Sequence, residues 1–213
     1  KVLPVAPAEA TLRFGCDQAQ ALRHLHTWGA QPLPLNASCW VPDAAGAGAG
    51  AAGAGTLYVR LRGAVAAVEA ACRTLGGERL DNAAAAAHWA ACREQQLPWF
   101  AARAQQPGLD VWRLSLPATA PVLALPGGVS PLVEWHGALR WVQAPLAHGD
   151  VLREAARAVG GSASLFIADG AGEERAGGQF DLKSAALEQI HARLKHSFDP
   201  AGIFNPGRMA PQW

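Results

Sequence analysis

Two helices that both end in Gly-Gly, 84 positions apart, are the feature that most limits how this chain can fold. The first ends at Gly76-Gly77 and the second at Gly160-Gly161, and glycine readily takes the conformation that closes a helix. Apolar patterning around each helix predicts strands, so each stretch follows the order strand, helix, strand, strand, helix, strand. In the second stretch a Pro-rich segment, residues 117–126, takes the place of the first helix. The repeat predicts two ferredoxin-like βαββαβ units, with chance similarity between two Ala-rich helices as the alternative.

The predicted fold class is α+β: duplicated ferredoxin-like subdomains with antiparallel sheets, a bridging helix, and a C-terminal helix and loop. The predicted limits are residues 11–81 for the first subdomain, 82–110 for the bridging helix and linker, 111–168 for the second subdomain and 169–213 for the C-terminal helix and loop. Asp17 is predicted to cap a helix that Gly29 ends, and Asp150 is predicted to cap a later one. Residues 44–55, all Ala or Gly, are predicted to form a flexible hairpin tip.

Charge and hydropathy exclude several classes of protein. The chain carries 18 Lys and Arg against 17 Asp and Glu, a net charge of +1, so it has no basic field that would attract nucleic acid. It has no run of about 18 apolar residues, so no transmembrane helix is predicted. It also lacks the nucleophile elbow G-x-S-x-G, the P-loop, the H-E-x-x-H zinc motif and a Rossmann G-x-G-x-x-G at a strand–helix junction. None of these self-contained sites is therefore expected.

The cysteines and histidines give no spacing typical of a metal site. The four cysteines show no C-x-x-C pair and are predicted to be small buried hydrophobes in a reducing compartment, with a redox or metal role as the alternative. They are Cys16, Cys39, Cys72 and Cys92. His88, His136 and His148 are isolated in the sequence, and the closer histidine pairs are poorly spaced for chelation. The sequence therefore predicts no protein-bound metal.

The most specific segment is the C-terminal one, where a helix predicted over residues 181–198 runs into F-D-P-A-G-I-F-N-P-G-R. Asp199-Pro200 ends the helix, because the residue before a proline avoids the helical region. On the stiffened loop that follows, Asn205 and Arg208 supply an amide and a guanidinium, and Gly207 permits close backbone approach. Such a loop can hold fixed donors against a planar or anionic ligand. The alternative is a C-terminal clamp that only fastens the fold.

This closing motif resembles that of the FAD-linked oxidases of the vanillyl-alcohol oxidase type, whose C-terminal domain is a duplicated ferredoxin-like fold. Within that family the chain looks most like the E-type subunits of bacterial glycolate oxidases. Further segments carry the likeness, namely K-V-L-P at residues 1–4, L-Y-V-R-L at 57–61, W-R-L-S-L-P at 112–117, A-L-P-G at 124–127 and W-H-G-A-L-R-W at 135–141. The resemblance spans nearly the whole chain.

The resemblance implies FAD as cofactor and the oxidation of glycolate to glyoxylate by a complex with a D-type sister flavoprotein and an F-type iron–sulfur subunit. It implies a cytoplasmic location, at the inner-membrane surface through those partners. Residues 1–10 then correspond to the tail of a flavin-binding domain that supplies most of the FAD contacts. We therefore expect these 213 residues alone to be a C-terminal fragment without FAD and without activity.

The resemblance also implies which residues lie near the flavin. Asn205, Gly207 and Arg208 match the loop that returns to the flavin. Trp112 and Arg113 match the strand that faces the flavin and substrate pocket.

The same resemblance leaves two questions open. The sister subunit's carboxylate-clamping Arg is replaced by Ser115, and its His-rich metal motif is missing, so no catalytic residue is assigned. A non-catalytic electron-relay or assembly module, docking the sister flavoprotein and the iron–sulfur subunit, is the alternative function. Trp135 and Trp141 have two interpretations, sheet-face packing or a flavin-stacking and docking role.

Overall fold

The computed structural model describes residues 5–43, 53–169, 181 and 184–207. In chain order the elements are β1 Ala8–Asp17, α1 Gln18–Gly29, β2 Leu35–Pro42, β3 Ala54–Gly63, α2 Val65–Leu75, β4 Glu78–Arg79, α3 Asn82–Arg93, α4 Pro98–Ala101, β5 Asp110–Ser115, β6 Leu132–Glu134, β7 Leu139–Ala144, α5 Gly149–Ala158, β8 Ser162–Ile167 and α6 Ala185–Phe198. In the described residues these form one antiparallel sheet of eight strands and six α-helices. The predicted α+β class is confirmed.

The sheet runs in the order β4-β1-β3-β2-β6-β7-β5-β8. Cys39 and Trp40 of β2 lie opposite Glu134 and Val133 of β6, and this pairing joins the two halves into one sheet. The antiparallel sheets predicted for the two subdomains are therefore one continuous sheet, and this pairing satisfies backbone groups that an edge strand of each half would otherwise leave unpaired. Numbered within each half, the strand order is 4-1-3-2 and then 2-3-1-4. The duplicated ferredoxin-like origin of this arrangement stays a prediction.

The helix ends show how far local signals decide the structure. Asp17 caps α1 as predicted, since its carboxylate accepts the Gln20 N–H at 2.7 Å while the Gln20 side chain accepts the Asp17 N–H. The predicted cap at Asp150 is wrong, because α5 begins at Gly149 and Asp150 therefore lies inside its first turn. There the Asp150 carboxylate pairs with the Arg153 guanidinium at 3.2 Å. The Pro-rich segment 117–126 forms no α-helix, as expected.

Two further predictions concern the C-terminal helix and the Ala-Gly hairpin tip. The C-terminal helix begins at Ala185, later than predicted, where the Ser184 hydroxyl accepts the N–H of Leu187. Of the predicted Ala-Gly hairpin tip, residues 44–52 lie outside the described part of the chain. Residues 1–4 and 208–213 also lie outside it.

One face of the sheet is covered by α1, α2 and α5. In the first half, Leu12, Trp40 and Val59 pack beneath α1 and α2. In the second half, Trp112 and Leu114 pack beneath α5. Successive strand residues point to opposite faces, so these side chains define a closed apolar layer, called the helix face below.

The other face carries α3 and α4 and is only partly covered; it is called the α3 face below. Its buried residues include Ala85 and Trp89 of α3, Phe100 of α4, and Leu132 and Trp141 of the sheet. The Trp89 indole N–H donates to the Thr11 hydroxyl at 2.9 Å, which ties α3 to β1. Among the described helices, none combines the length and apolar character needed to cross a membrane.

Candidate functional site

The α3 face contains a cavity of about 710 Å³, with α3 along one side and strands of both halves of the sheet as its floor. Its walls combine aromatic rings with charged groups, the arrangement that ligand sites commonly use. They include Trp135, Trp141 and Phe166 together with Arg60, Arg113 and Glu134. None of the described residues that line the cavity belongs to α1, α2 or α5.

Of the two adjacent residues predicted on β5, only Arg113 lines the cavity. Trp112 is fully buried on the helix face, where its indole N–H donates to the Ala144 carbonyl at 3.2 Å. Arg113 is half-buried on the opposite face, and its guanidinium carbon lies 5.9 Å from the centre of the Trp135 ring. An Arg113 Nη1 also donates to the Ser115 hydroxyl at 3.0 Å, so the guanidinium lies beside Ser115 on the same face of β5.

The turn that carries Trp135 is strained. Trp135 and His136 have φ values of 51° and 54°, which are unfavourable for residues with a Cβ, and Gly137 follows at 95°. The His136 N–H donates to the buried Ser38 hydroxyl at 2.8 Å, which holds the turn against β2. Burial lowers the pKa of His136. Strain of this kind persists where the surroundings fix it, and here it holds the Trp135 ring 65% exposed at the mouth of the cavity.

Trp141 is 3% exposed and packs on the sheet, which is the packing interpretation of the two given for it. Its indole N–H donates to a Glu134 carboxylate oxygen at 2.6 Å. Burial raises the pKa of Glu134, and this hydrogen bond partly opposes the rise. Glu134 is therefore held by Trp141 at the edge of the cavity.

The loop after α6 is organised by Asp199. Its carboxylate accepts the N–H groups of Ile203 and Phe204 at 3.0 and 2.9 Å and pairs with the Lys195 ammonium. The Lys195 ion pair and these two amides lower the pKa of Asp199 to about 2. Asn205 then takes a positive φ of 48°. The motif thus builds a turn from its own residues.

Asn205 and Gly207 are exposed at this turn, and Arg208 lies outside the described residues. None of the described residues lining the cavity belongs to α6 or to the loop after it. The structure therefore brings Arg113, but not Asn205 or Gly207, to the cavity.

Large apolar side chains on α6 and its loop face outward. They are 40–83% exposed, and no residue of α6 is buried. They are Leu187, Ile190, Leu194, Phe198, Ile203 and Phe204. A C-terminal clamp would bury these side chains against the fold. Among the described residues they are exposed instead.

A third group of polar side chains lies beneath α3. One ligand atom from each of Cys39, His88 and Cys92 falls within 4.8 Å of the others. The pKa of Cys92 is lowered to about 6, chiefly because the Cys39 thiol hydrogen-bonds to it and His88 assists, while the pKa of Cys39 is raised. His88, which has no histidine near it in the sequence, thus lies beside two thiols in the fold. Part of the group was visible in the sequence, because His88 and Cys92 stand four residues apart on one helix face.

The fold and the cavity define a class: an α+β domain with one antiparallel sheet, whose partly covered face carries an aromatic and charged cavity. Over 209 residues the chain is 38% identical to glycolate oxidase subunit GlcE of Escherichia coli (strain K12), a stretch that covers 98% of this chain and 51% of that protein. The resemblance predicted from the sequence is thus confirmed. The chain spans about half the length of this curated relative. No protein-family model matches it.

Proposed function

We propose that the chain is the C-terminal half of an E-type glycolate oxidase subunit and contributes to the oxidation of glycolate to glyoxylate. The partners would be a D-type flavoprotein and an F-type iron–sulfur subunit, in the cytoplasm or at the inner membrane through those partners. The observation that carries the proposal is the 38% identity to the E. coli subunit over nearly the whole chain.

In this proposal the α3 face forms one wall of the flavin and substrate pocket. FAD would supply the electron acceptor that oxidation of a hydroxy acid needs, and most of its contacts would come from the preceding half of the subunit. The residues present fit such a group, because the cavity offers the exposed Trp135 ring and the guanidinium of Arg113 side by side. Arg113 would hold an anionic group there, and Trp112 would support β5 from behind.

The C-terminal loop would contribute Asn205, Gly207 and Arg208 towards the same cofactor. The loop's turn is prepared by Asp199, and its exposed apolar residues would pack against the preceding half of the subunit. The mirrored strand order supports a duplicated ferredoxin-like origin, with subdomain limits at residues 11–81 and 111–168.

A second candidate is a non-catalytic electron-relay or assembly module. Two observations favour it: Ser115 stands where a carboxylate-clamping arginine was expected, and α6 presents an apolar surface of the kind that docks partners.

Co-expression of the complete subunit with its D and F partners separates the two candidates. We expect Arg113→Ala to lower glycolate-dependent dye reduction about tenfold or more while the complex still assembles. The matched control is Arg73→Ala, an exposed arginine on α2 of the helix face. Full activity without this subunit would overturn both candidates. Activity that needs the subunit but tolerates Arg113→Ala would leave the assembly role.

A further inference from the structure

Three neighbouring strands, β3, β2 and β6, lie beneath α3. Tyr58 of β3, Cys39 of β2 and Glu134 of β6 are register partners across the sheet, all on the α3 face. The His88 ring contacts Tyr58 in a tilted arrangement with centroids 4.0 Å apart, and its Nε2 lies 3.5 Å from the Cys92 sulfur. The imidazole is thus fixed by an aromatic neighbour and directed at the two thiols.

The separations in this cluster fit a tetrahedral cation. Zn–S and Zn–N distances of about 2.3 and 2.0 Å put tetrahedral donors roughly 3.5–3.8 Å apart. The His88–Cys92 separation of 3.5 Å already meets this, and all three donor atoms lie within 4.8 Å of one another. Binding would therefore require only a small inward movement of side chains.

We propose that Cys39, His88 and Cys92 bind a thiophilic divalent cation, with Zn²⁺ as the first choice. Two thiolates and an imidazole are the donors that Zn²⁺ takes from proteins, whereas Mg²⁺ and Ca²⁺ prefer oxygen. The cysteines are buried and the histidine half-buried, so little competing water surrounds the donors.

The fourth coordination position can be filled from the cavity. Cys92 and Glu134 both line the cavity. Glu134 lies directly opposite Cys39 in the sheet, and the Cβ atoms of such paired residues are about 5 Å apart. Either the Glu134 carboxylate or a water beside it would complete the set. Three protein ligands with a position open to a cavity resemble the arrangement of catalytic rather than structural zinc sites. The site uses none of the residues proposed to approach FAD.

A Cys39–Cys92 disulfide is the competing use of the same pair. It would remove two hydrogens from the thiols and pass two electrons to an oxidant, and it would destroy the metal site. The two states differ in mass and in free thiols, so one preparation distinguishes them.

The test is cobalt titration of the complete protein under reducing conditions. We expect one equivalent of Co²⁺ to give a thiolate charge-transfer band and the intense visible bands of tetrahedral cobalt, both removed by Zn²⁺. Cys92→Ser should abolish these bands, and His88→Gln should weaken cobalt binding about tenfold or more. The control is Cys72→Ser, a half-buried cysteine on α2, which should bind like the wild type.

The readout in the wild type keeps the proposal open to refutation even where Cys39→Ser or Cys92→Ser fails to fold. His88 is half-buried, so His88→Gln should retain native circular dichroism. Tetrahedral bands absent from the reduced wild type, or bands that survive both His88→Gln and Cys92→Ser, would overturn the site. The site would also be overturned if the isolated protein has the mass of the Cys39–Cys92 disulfide, two hydrogens less, and still fails to bind cobalt after reduction.

Discussion

The two faces of the sheet differ in what their buried residues do. On the helix face Trp112 and its neighbours form a closed apolar layer under α1, α2 and α5. The α3 face combines an apolar patch with a cavity, charged groups and a cluster of thiols. Because strand residues alternate, one strand serves both faces, as Trp112 and Arg113 illustrate. The contrast suggests that stability depends chiefly on the helix face and ligand chemistry on the α3 face.

The largest effect should follow from opening the helix face. Trp112→Ala removes a fully buried ring and the hydrogen bond to Ala144, so we expect the free energy of unfolding to fall by about 3–5 kcal/mol. Urea denaturation followed by circular dichroism measures this. Trp135→Ala, the same change at a 65% exposed ring on the other face, is the matched control and should cost far less. Equal losses would break the comparison.

A smaller loss is expected at Arg140, a charged residue that is fully buried on the helix face. Its guanidinium donates to the carbonyls of Ala120 and Pro121, both at 2.6 Å, and burial lowers its pKa to about 10. Arg140 thus fastens the segment that replaces the missing helix. We expect Arg140→Ala to lower the free energy of unfolding by about 2–3 kcal/mol, because the buried Ala120 carbonyl and the partly buried Pro121 carbonyl both lose their donor.

Limited proteolysis provides a second readout of the same change. Cleavage within residues 117–126 should accelerate in Arg140→Ala and remain slow in Arg73→Ala, an exposed arginine on α2. A segment that resists cleavage in both variants would contradict the fastening role.

These examples show which parts of the fold are readable in the sequence. Asp17, Gly29 and the prolines of residues 117–126 act on their own neighbours, so their consequences were predictable. The single sheet was not, because the pairing of β2 with β6 joins two strand edges that lie far apart in the sequence and that no local pattern links.

The candidate site divides in the same way. Alternation along β5 already separates Trp112 from Arg113, although the resemblance grouped them. The helical spacing of His88 and Cys92 was readable, whereas Cys39 joins them through the packing of α3 on β2 and carries no local signal. Contacts between distant elements are what patterning along the chain does not encode.

On the α3 face, the hydrogen bond between Trp89 and Thr11 should contribute less than either helix-face change. Thr11→Val keeps the shape and removes the acceptor, leaving a buried indole N–H without its partner. We expect a loss of about 1–2 kcal/mol in urea denaturation. In a cycle with Trp89→Phe the two changes should be strongly non-additive, since both delete one interaction. Simple additivity would mean that α3 is held by packing alone.

The smallest effect on stability should come from Arg113, the immediate neighbour of Trp112. Its guanidinium contacts the exposed Trp135 ring and the half-buried Ser115 hydroxyl, and water can replace both contacts when the side chain is removed. We therefore expect Arg113→Ala to change the free energy of unfolding by at most about 0.5 kcal/mol. Measuring Arg113→Ala and Trp112→Ala in the same urea denaturation series compares two adjacent residues whose side chains lie on opposite faces of the sheet. A loss at Arg113 close to that at Trp112 would mean that the cavity wall is part of the folding core, and the division of labour between the two faces would have to be abandoned.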